Sequence, residues 1–200
     1  MTTVYVYVMD TMADWEIGYC LAELHSKRFF RKDASDISVK TVALSKETVK
    51  SMGGLTIVPD MTIKDVQVNE DNVLILPGSD VWSDSENFRI LELAKQFLET
   101  GGLVAAICGA TVALANIGLL DDKKHTSNGA GFLNMFCPDY KGTDKYIDEK
   151  INELSLLLPK LEGYSGVLHM ENYKGEGGNF TLQKDETDSD STIDFDVKAD

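Results

Sequence analysis

Cysteine is scarce in this 200-residue chain: there are three, widely spaced and odd in number. That count gives no framework of paired disulfides, and the spacing does not match the ligand pattern of a zinc site. Basic charge is scarce too. Nineteen lysines and arginines face 33 aspartates and glutamates, for a net charge of −14. Nucleic acid and anionic membranes both need a basic face, so neither is expected as a partner. No apolar run approaches the ~18 residues that cross a bilayer. Met1-Thr2-Thr3-Val4-Tyr5-Val6 goes straight into strand-like sequence, with no basic segment or cleavage site ahead of it. The expectation is a cytoplasmic chain with reduced thiols and no metal or other cofactor. The remaining composition, 43% hydrophobic and 26% charged residues, suits one globular α/β domain.

The most informative stretch is Leu103-Val104-Ala105-Ala106-Ile107-Cys108-Gly109-Ala110, followed by apolar residues through Leu120. The continuous apolar run predicts a buried parallel strand, and the apolar residues after Gly109 repeat at helical spacing. Cys108 then sits where strand turns into helix, between residues small enough to permit a sharp elbow. Such an elbow lifts a nucleophile off a sheet edge, and the helix N-terminus beside it favours a thiolate. The competing reading makes Cys108 a small buried apolar residue.

Other elements keep the same alternation. Val4 to Met9, Ile37 to Leu44 and Asn72 to Leu76 predict strands, and Lys123 to Asn128 one more short strand. Asp14 is placed to cap a helix in which Ile17, Leu21 and Leu24 share a face. Asn87 to Thr100 predicts a second helix, stopped by Gly101-Gly102. Met52 to Asp60 predicts a turn with a short strand leading out of it. Alternating strands and helices imply right-handed crossovers and a parallel sheet covered on both faces, with ligands beyond the strands' carboxyl ends. The polar and glycine-rich residues gather there: Asp14 to Glu16, Pro77 to Asp80, and Cys108.

A reactive Cys108 needs donors for a developing oxyanion and a proton carrier. The N–H groups of Gly109 and of Gly78 or Ser79 are the candidate donors. Glu16 is a candidate contact of the sulfur; beside a thiolate it would have to be protonated. Its competing reading is a solvated first-turn residue. His125 is the histidine best placed to return to the sheet edge, against the bland reading of a surface or satisfied core residue. His25 and His169 are weaker candidates. Cys20 and Trp82 read as packing, and Cys137, before Pro138, as an incidental loop residue.

Four stretches carry a resemblance: Asp14-Trp15-Glu16, Gly53-Gly54 with Pro59-Asp60, Leu76-Pro77-Gly78-Ser79-Asp80 with Trp82, and Ala105 to Thr111. Gly118 to Asn128 fits as well. Together they resemble the DJ-1/PfpI family, within the class I glutamine amidotransferase-like superfamily. The resemblance implies a flavodoxin-like three-layer α/β sandwich with a mostly parallel sheet, commonly a homodimer. It implies Cys108 as nucleophile, Glu16 as the protonated partner at the sulfur, and the N–H groups of Ser79 and Gly109 as the oxyanion hole. His125 matches a histidine near the nucleophile in some relatives. Peptidase, glyoxalase or deglycase, chaperone and oxidative-stress roles occur in the family, so membership does not fix the substrate.

The expected activity is a cysteine-dependent hydrolase or lyase acting on a small-molecule carbonyl substrate, with Glu16 or His125 moving the proton. The alternatives are a redox or stress-response protein that senses oxidants through Cys108 and, more distantly, glutaminase or peptidase activity. Peptidase chemistry is disfavoured because Gly109 stands where the protease-like branch has histidine after the cysteine. The DJ-1/PfpI-like domain is expected over residues 1–150. From Leu154 to Pro159 the chain departs from the pattern, as a shifted reading frame would make it do. Residues 151–184 therefore form a divergent segment. Residues 185–200 hold seven acidic residues and one lysine, the composition of a disordered tail.

Overall fold

In a computed structural model the described residues are 1–28, 30, 36–147, 166–168, 180–184 and 194–195. The strands are β1 (Thr2–Tyr7), β2 (Ile37–Ala43), β3 (Val49–Lys50), β4 (Thr56–Ile57), β5 (Met61–Thr62), β6 (Val73–Leu76) and β7 (Leu103–Ala106) in one unit. Its helices are α1 (Asp14–Ser26), α2 (Phe88–Glu99), α3 (Gly109–Asn116) and the short α4 (Phe132–Phe136). A second unit holds β8 (Gly166–Leu168), β9 (Phe180–Lys184) and β10 (Asp194–Phe195), an antiparallel sheet in the order β10-β9-β8.

The first unit is a flavodoxin-like α/β sandwich. Its five-stranded sheet runs β5-β2-β1-β6-β7, with every pairing parallel. The chain winds outward from β1 through α1 to β2, then restarts at β6 and winds the other way through α2 to β7. Right-handed crossovers in opposite directions put α1 and α2 on opposite faces. The strand order reverses between β1 and β6, and a crevice opens beyond their carboxyl ends.

The core follows from composition. Val4, Tyr5, Val6 and Tyr7 of β1 and all four residues of β6 are buried, as expected of strands covered on both faces. In α2, Ile90, Leu91, Ala94 and Phe97 form the buried stripe, and Ile90, Ala94 and Phe97 have no solvent exposure. Gly101, at φ 79°, ends that helix as the sequence predicts, and Gly102 N–H caps the Phe97 carbonyl at 2.7 Å.

Three expectations need correction. Asp14 does not cap α1: the cap position is Ala13, and the Asp14 carboxylate instead accepts hydrogen bonds from Ser51 Oγ (2.5 Å) and Gly53 N–H (3.0 Å). It ties the β3–β4 hairpin to the helix. The strand expected over Lys123 to Asn128 shrinks to one parallel bridge between His125 and Tyr146. Cys137 is not incidental. It is 1% exposed, packs with Ala115, Leu133 and Tyr140, and donates to the Val112 carbonyl; burial raises its thiol's pKa. Two residues of the stretch read as a disordered tail, Asp194 and Phe195, pair with β9. Ile151 to Leu161, His169 and the rest of that tail lie outside the described residues.

Candidate active site

Cys108 occupies the elbow, and its backbone shows how sharp the turn is. At φ 51°, ψ −120° it is one of three non-glycine residues with positive φ among the described residues. A side-chain-bearing residue there costs about 1–3 kcal/mol, a cost met at sites where the surroundings hold the strain in place. The surroundings do so here. Thr111 Oγ donates to the Cys108 carbonyl at 2.6 Å and shares a 2.7 Å hydrogen bond with Ser127 Oγ. The thiol is half-buried, so it is neither entombed nor fully solvated.

The carboxyl end of β6 supplies the wall opposite. Gly78 donates its N–H to Glu16 Oε2 at 2.6 Å and accepts from Ala13 N–H at 2.8 Å, which fastens the β6 loop to the start of α1. Gly78 also marks a close approach. A methyl group built on it would lie 2.7 Å from Glu16 Oε1 and 3.0 Å from Cys108 Cβ. The carboxyl and the cysteine therefore flank one side-chain-free Cα. Because Glu16 takes the Gly78 N–H, that group is no longer a candidate oxyanion donor, which corrects the sequence reading. Ser79 and Gly109 remain: among the described residues neither N–H donates to another backbone group. The two backbones abut, since a methyl on Gly109 would lie 3.3 Å from the Ser79 carbonyl.

The Ser79 loop is held in turn by the loop after β1. Ser79 Oγ donates to the Asp10 carbonyl (2.8 Å) and lies 3.0 Å from Thr11 Oγ, and Thr11 Oγ accepts from Asp80 N–H (3.1 Å). Thr11 is itself at φ 55°. Trp82 packs, as expected: it is buried, its Nε1–H donates to the Pro77 carbonyl at 2.9 Å, and its ring meets Tyr7.

His125 is placed elsewhere. Its Nδ1 lies 2.7 Å from the Lys123 carbonyl and its Nε2 2.6 Å from the Tyr140 hydroxyl. A carbonyl only accepts, so Nδ1 carries a hydrogen and donates it, and Nε2 shares its hydrogen bond with the Tyr140 hydroxyl. Edge-on contacts with Tyr140 and Tyr146 complete a packed cluster. With both nitrogens engaged, the acid–base role expected of His125 does not fit. The side chain that reaches the sulfur is three residues further on: Asn128 Nδ2 donates to Cys108 Sγ at 3.1 Å. Among the described residues, no group of three or more His, Cys, Asp or Glu side chains is placed to hold a metal, and no helix is long and apolar enough to cross a membrane.

A cysteine on a strained strand–helix elbow, facing a carboxyl across the switch point of a doubly wound sheet, defines the class. The DJ-1/PfpI family model matches residues 2–156, and the chain belongs to that family. A Bacillus subtilis protein named "Uncharacterized protease YoaZ" is 45% identical over 143 residues, 72% of this chain and 68% of that one. The "Glutathione-independent glyoxalase DJR-1.2" of Caenorhabditis elegans is 40% identical over 74 residues, 36% of this chain and 40% of its own. The crystal structure of a thiJ/pfpI family protein from Bacillus anthracis superposes with a TM-score of 0.75. It is 41% identical, over 82% of this chain and 85% of that one.

Proposed function

We propose that this protein is a cysteine-dependent enzyme acting on small carbonyl compounds, in the manner of a glyoxalase. The observation that carries this reading is the close packing of Glu16 and Cys108 around the bare Cα of Gly78, beside the abutting backbones of Ser79 and Gly109. The Cys108 sulfur adds to the aldehyde carbon of a 2-oxoaldehyde. A C–S bond forms, and the carbonyl π pair moves onto oxygen, where the Ser79 and Gly109 N–H groups meet it. Glu16, which holds the proton given up by the thiol, passes it to that oxygen. As a carboxylate it then takes the proton from the aldehyde carbon and returns it to the neighbouring carbon, so the second carbonyl is reduced to a hydroxyl as the first carbon becomes a thioester. Water cleaves the thioester to a 2-hydroxy acid and the free thiol. No outside oxidant or reductant is consumed.

The relative named as a glutathione-independent glyoxalase supports this reading. A peptidase of the cysteine–histidine type would need an imidazole at the sulfur, and the described residues do not supply one there: Gly109 follows Cys108, and Asn128 rather than His125 reaches Sγ. The proposed partner is a second copy of this chain, in the cytoplasm. Trp15 and Tyr19 of α1 and Met52, Leu55 and Val58 around the hairpin are exposed apolar residues beside the site. Trp15→Glu should turn a dimer into a monomer on sizing chromatography.

The test is methylglyoxal turnover by the parent, Cys108→Ala and Glu16→Gln. Loss of activity in Cys108→Ala is expected, with a fall of about 100-fold or more in kcat for Glu16→Gln. Equal rates for the parent and Cys108→Ala would end the proposal. An inactive parent whose Cys108 gains two oxygens under mild peroxide would favour the sensor instead.

A further inference from the structure

We propose that Asn128 is a catalytic residue: its side-chain amide holds the Cys108 sulfur through a donor that carries no titrating proton. The inference rests on Cys108 being the reacting atom, as proposed above. Four observations carry it. Asn128 Nδ2 lies 3.1 Å from Sγ. Asn128 is solvent-exposed, so the amide is not at the sulfur because core packing forces it there. Its neighbour Ser127 is fastened to Thr111, and Thr111 to the Cys108 carbonyl, so the elbow and the 127–128 segment are held in one geometry. The imidazole that would otherwise serve the sulfur, His125, has both nitrogens engaged with Lys123 and Tyr140. The titratable side chain packed beside the cysteine is Glu16, across Gly78. These distances thus bring a neutral amide to the sulfur itself and a carboxyl to the neighbourhood of the Cys108 Cβ.

A thiolate accepts hydrogen bonds and a neutral thiol accepts them poorly, so the Asn128 donor favours the ionised sulfur. The same donor draws electron density from the thiolate and lowers its intrinsic nucleophilicity, with a Brønsted slope of about 0.4–0.5. Removing it therefore has two opposed effects, and their balance changes with pH. If the donor is worth about tenfold in ionisation, its loss moves the pH midpoint of thiol reaction up by about one unit. Well below the midpoint, alkylation slows about threefold, because a tenfold loss of thiolate is partly offset by the more reactive sulfur. On the high-pH plateau the variant reacts about threefold faster than the parent. A residue that merely props the loop would not make the two curves cross.

The experiment follows iodoacetamide alkylation of the full chain between pH 5 and 10, resolved to Cys108 by peptide mass. It compares the parent with Asn128→Ala and Asn128→Asp. Crossing profiles are expected for Asn128→Ala. Asn128→Asp has the same shape but offers an oxygen where the N–H stood, so its midpoint should move up further. Midpoints within 0.3 unit of the parent in both variants, with no crossing, would overturn the proposal. Alkylation needs no substrate turnover, so this result is separable from the fate of the glyoxalase reading: methylglyoxal turnover unchanged in Cys108→Ala removes that reading alone. With that reading intact, Asn128→Ala should also lower kcat/KM at neutral pH by about threefold or more.

Discussion

Gly78→Ala is the smallest perturbation that tests the geometry of the site. Gly78 does not occupy the left-handed region, so alanine adds no backbone strain and acts only through its methyl group. That methyl would stand 2.7 and 2.9 Å from the two Glu16 oxygens and 3.0 Å from Cys108 Cβ. Cys108 Cβ cannot retreat, because the elbow backbone is fixed at positive φ and tied through its carbonyl to Thr111. Glu16 must yield. Its departure frees the buried Gly78 N–H, at a cost of about 1–3 kcal/mol. If the loop shifts instead, overpacking costs about the same. A loss near 2 kcal/mol lowers the melting temperature by roughly 4–8 °C in a domain of this size. Turnover should fall about 100-fold, as expected when a proton carrier moves by about 1 Å. The assay is thermal unfolding together with methylglyoxal kinetics, repeated in a Glu16→Ala background. There the nearest obstacle is gone, and Gly78→Ala should cost about 1 kcal/mol less than in the parent. A variant that melts within about 1 °C of the parent and turns over within twofold of it would refute the packing argument.

Three further outcomes are expected from other parts of the structure. Cys108→Gly should melt about 2–4 °C above Cys108→Ala, because glycine accepts φ 51° without the penalty alanine pays; equal melting temperatures would mean the elbow is unstrained. Tyr140→Phe removes the hydroxyl hydrogen-bonded to His125 Nε2 and should cost about 1 kcal/mol of stability with turnover within twofold; a collapse of turnover would return His125 to the mechanism. The hydrogen bond from Ser51, followed by that from Gly53, holds the Asp14 carboxyl below its ordinary value. A depressed carboxylate contributes its stability above the unfolded pKa, about 3.9, and loses it as pH falls through the folded value. The melting-temperature gap between parent and Asp14→Ala should therefore be constant from pH 7 to 5 and close below pH 4, and a gap independent of pH would contradict the assignment.

The sequence is most legible where a strong local pattern and the topology point the same way. The apolar run into Cys108 and the small residues around it define the elbow, and the alternation of strands and helices brings Glu16, Gly78 and Cys108 to one sheet edge. Legibility fails in loops. The segment from Lys123 to Asn128 has no periodicity to fix its register, and a shift of three residues decides whether His125 or Asn128 meets the sulfur. The Thr111–Ser127 hydrogen bond and the His125–Tyr146 bridge settle it together, and neither a hydroxyl pair sixteen residues apart nor a single bridge leaves a sequence signature. Asp14 misleads for a related reason. An acidic residue at a helix start is equally suited to capping, and only the return of the β3–β4 hairpin supplies the donors that claim it. Cys137 reads as loop because Pro138 follows it, yet one turn of helix before it is enough to aim the thiol inward.

Two independent determinants meet at Gly78. The reversal of strand order between β1 and β6 is a property of the fold, and it opens the crevice into which α1 directs Glu16. The placement of the sulfur is local: it follows from a positive φ at Cys108 that the fold does not require of a strand–helix junction. Neither determinant alone brings a carboxyl and a thiol together. They do so only because residue 78 has no side chain and both its peptide groups are committed, the N–H to Glu16 and the carbonyl to Ala13. The same arrangement accords with family membership leaving the substrate open: the contacts that hold the carboxyl and the elbow, at Gly78 and Thr111, are distinct from the exposed apolar residues of the hairpin.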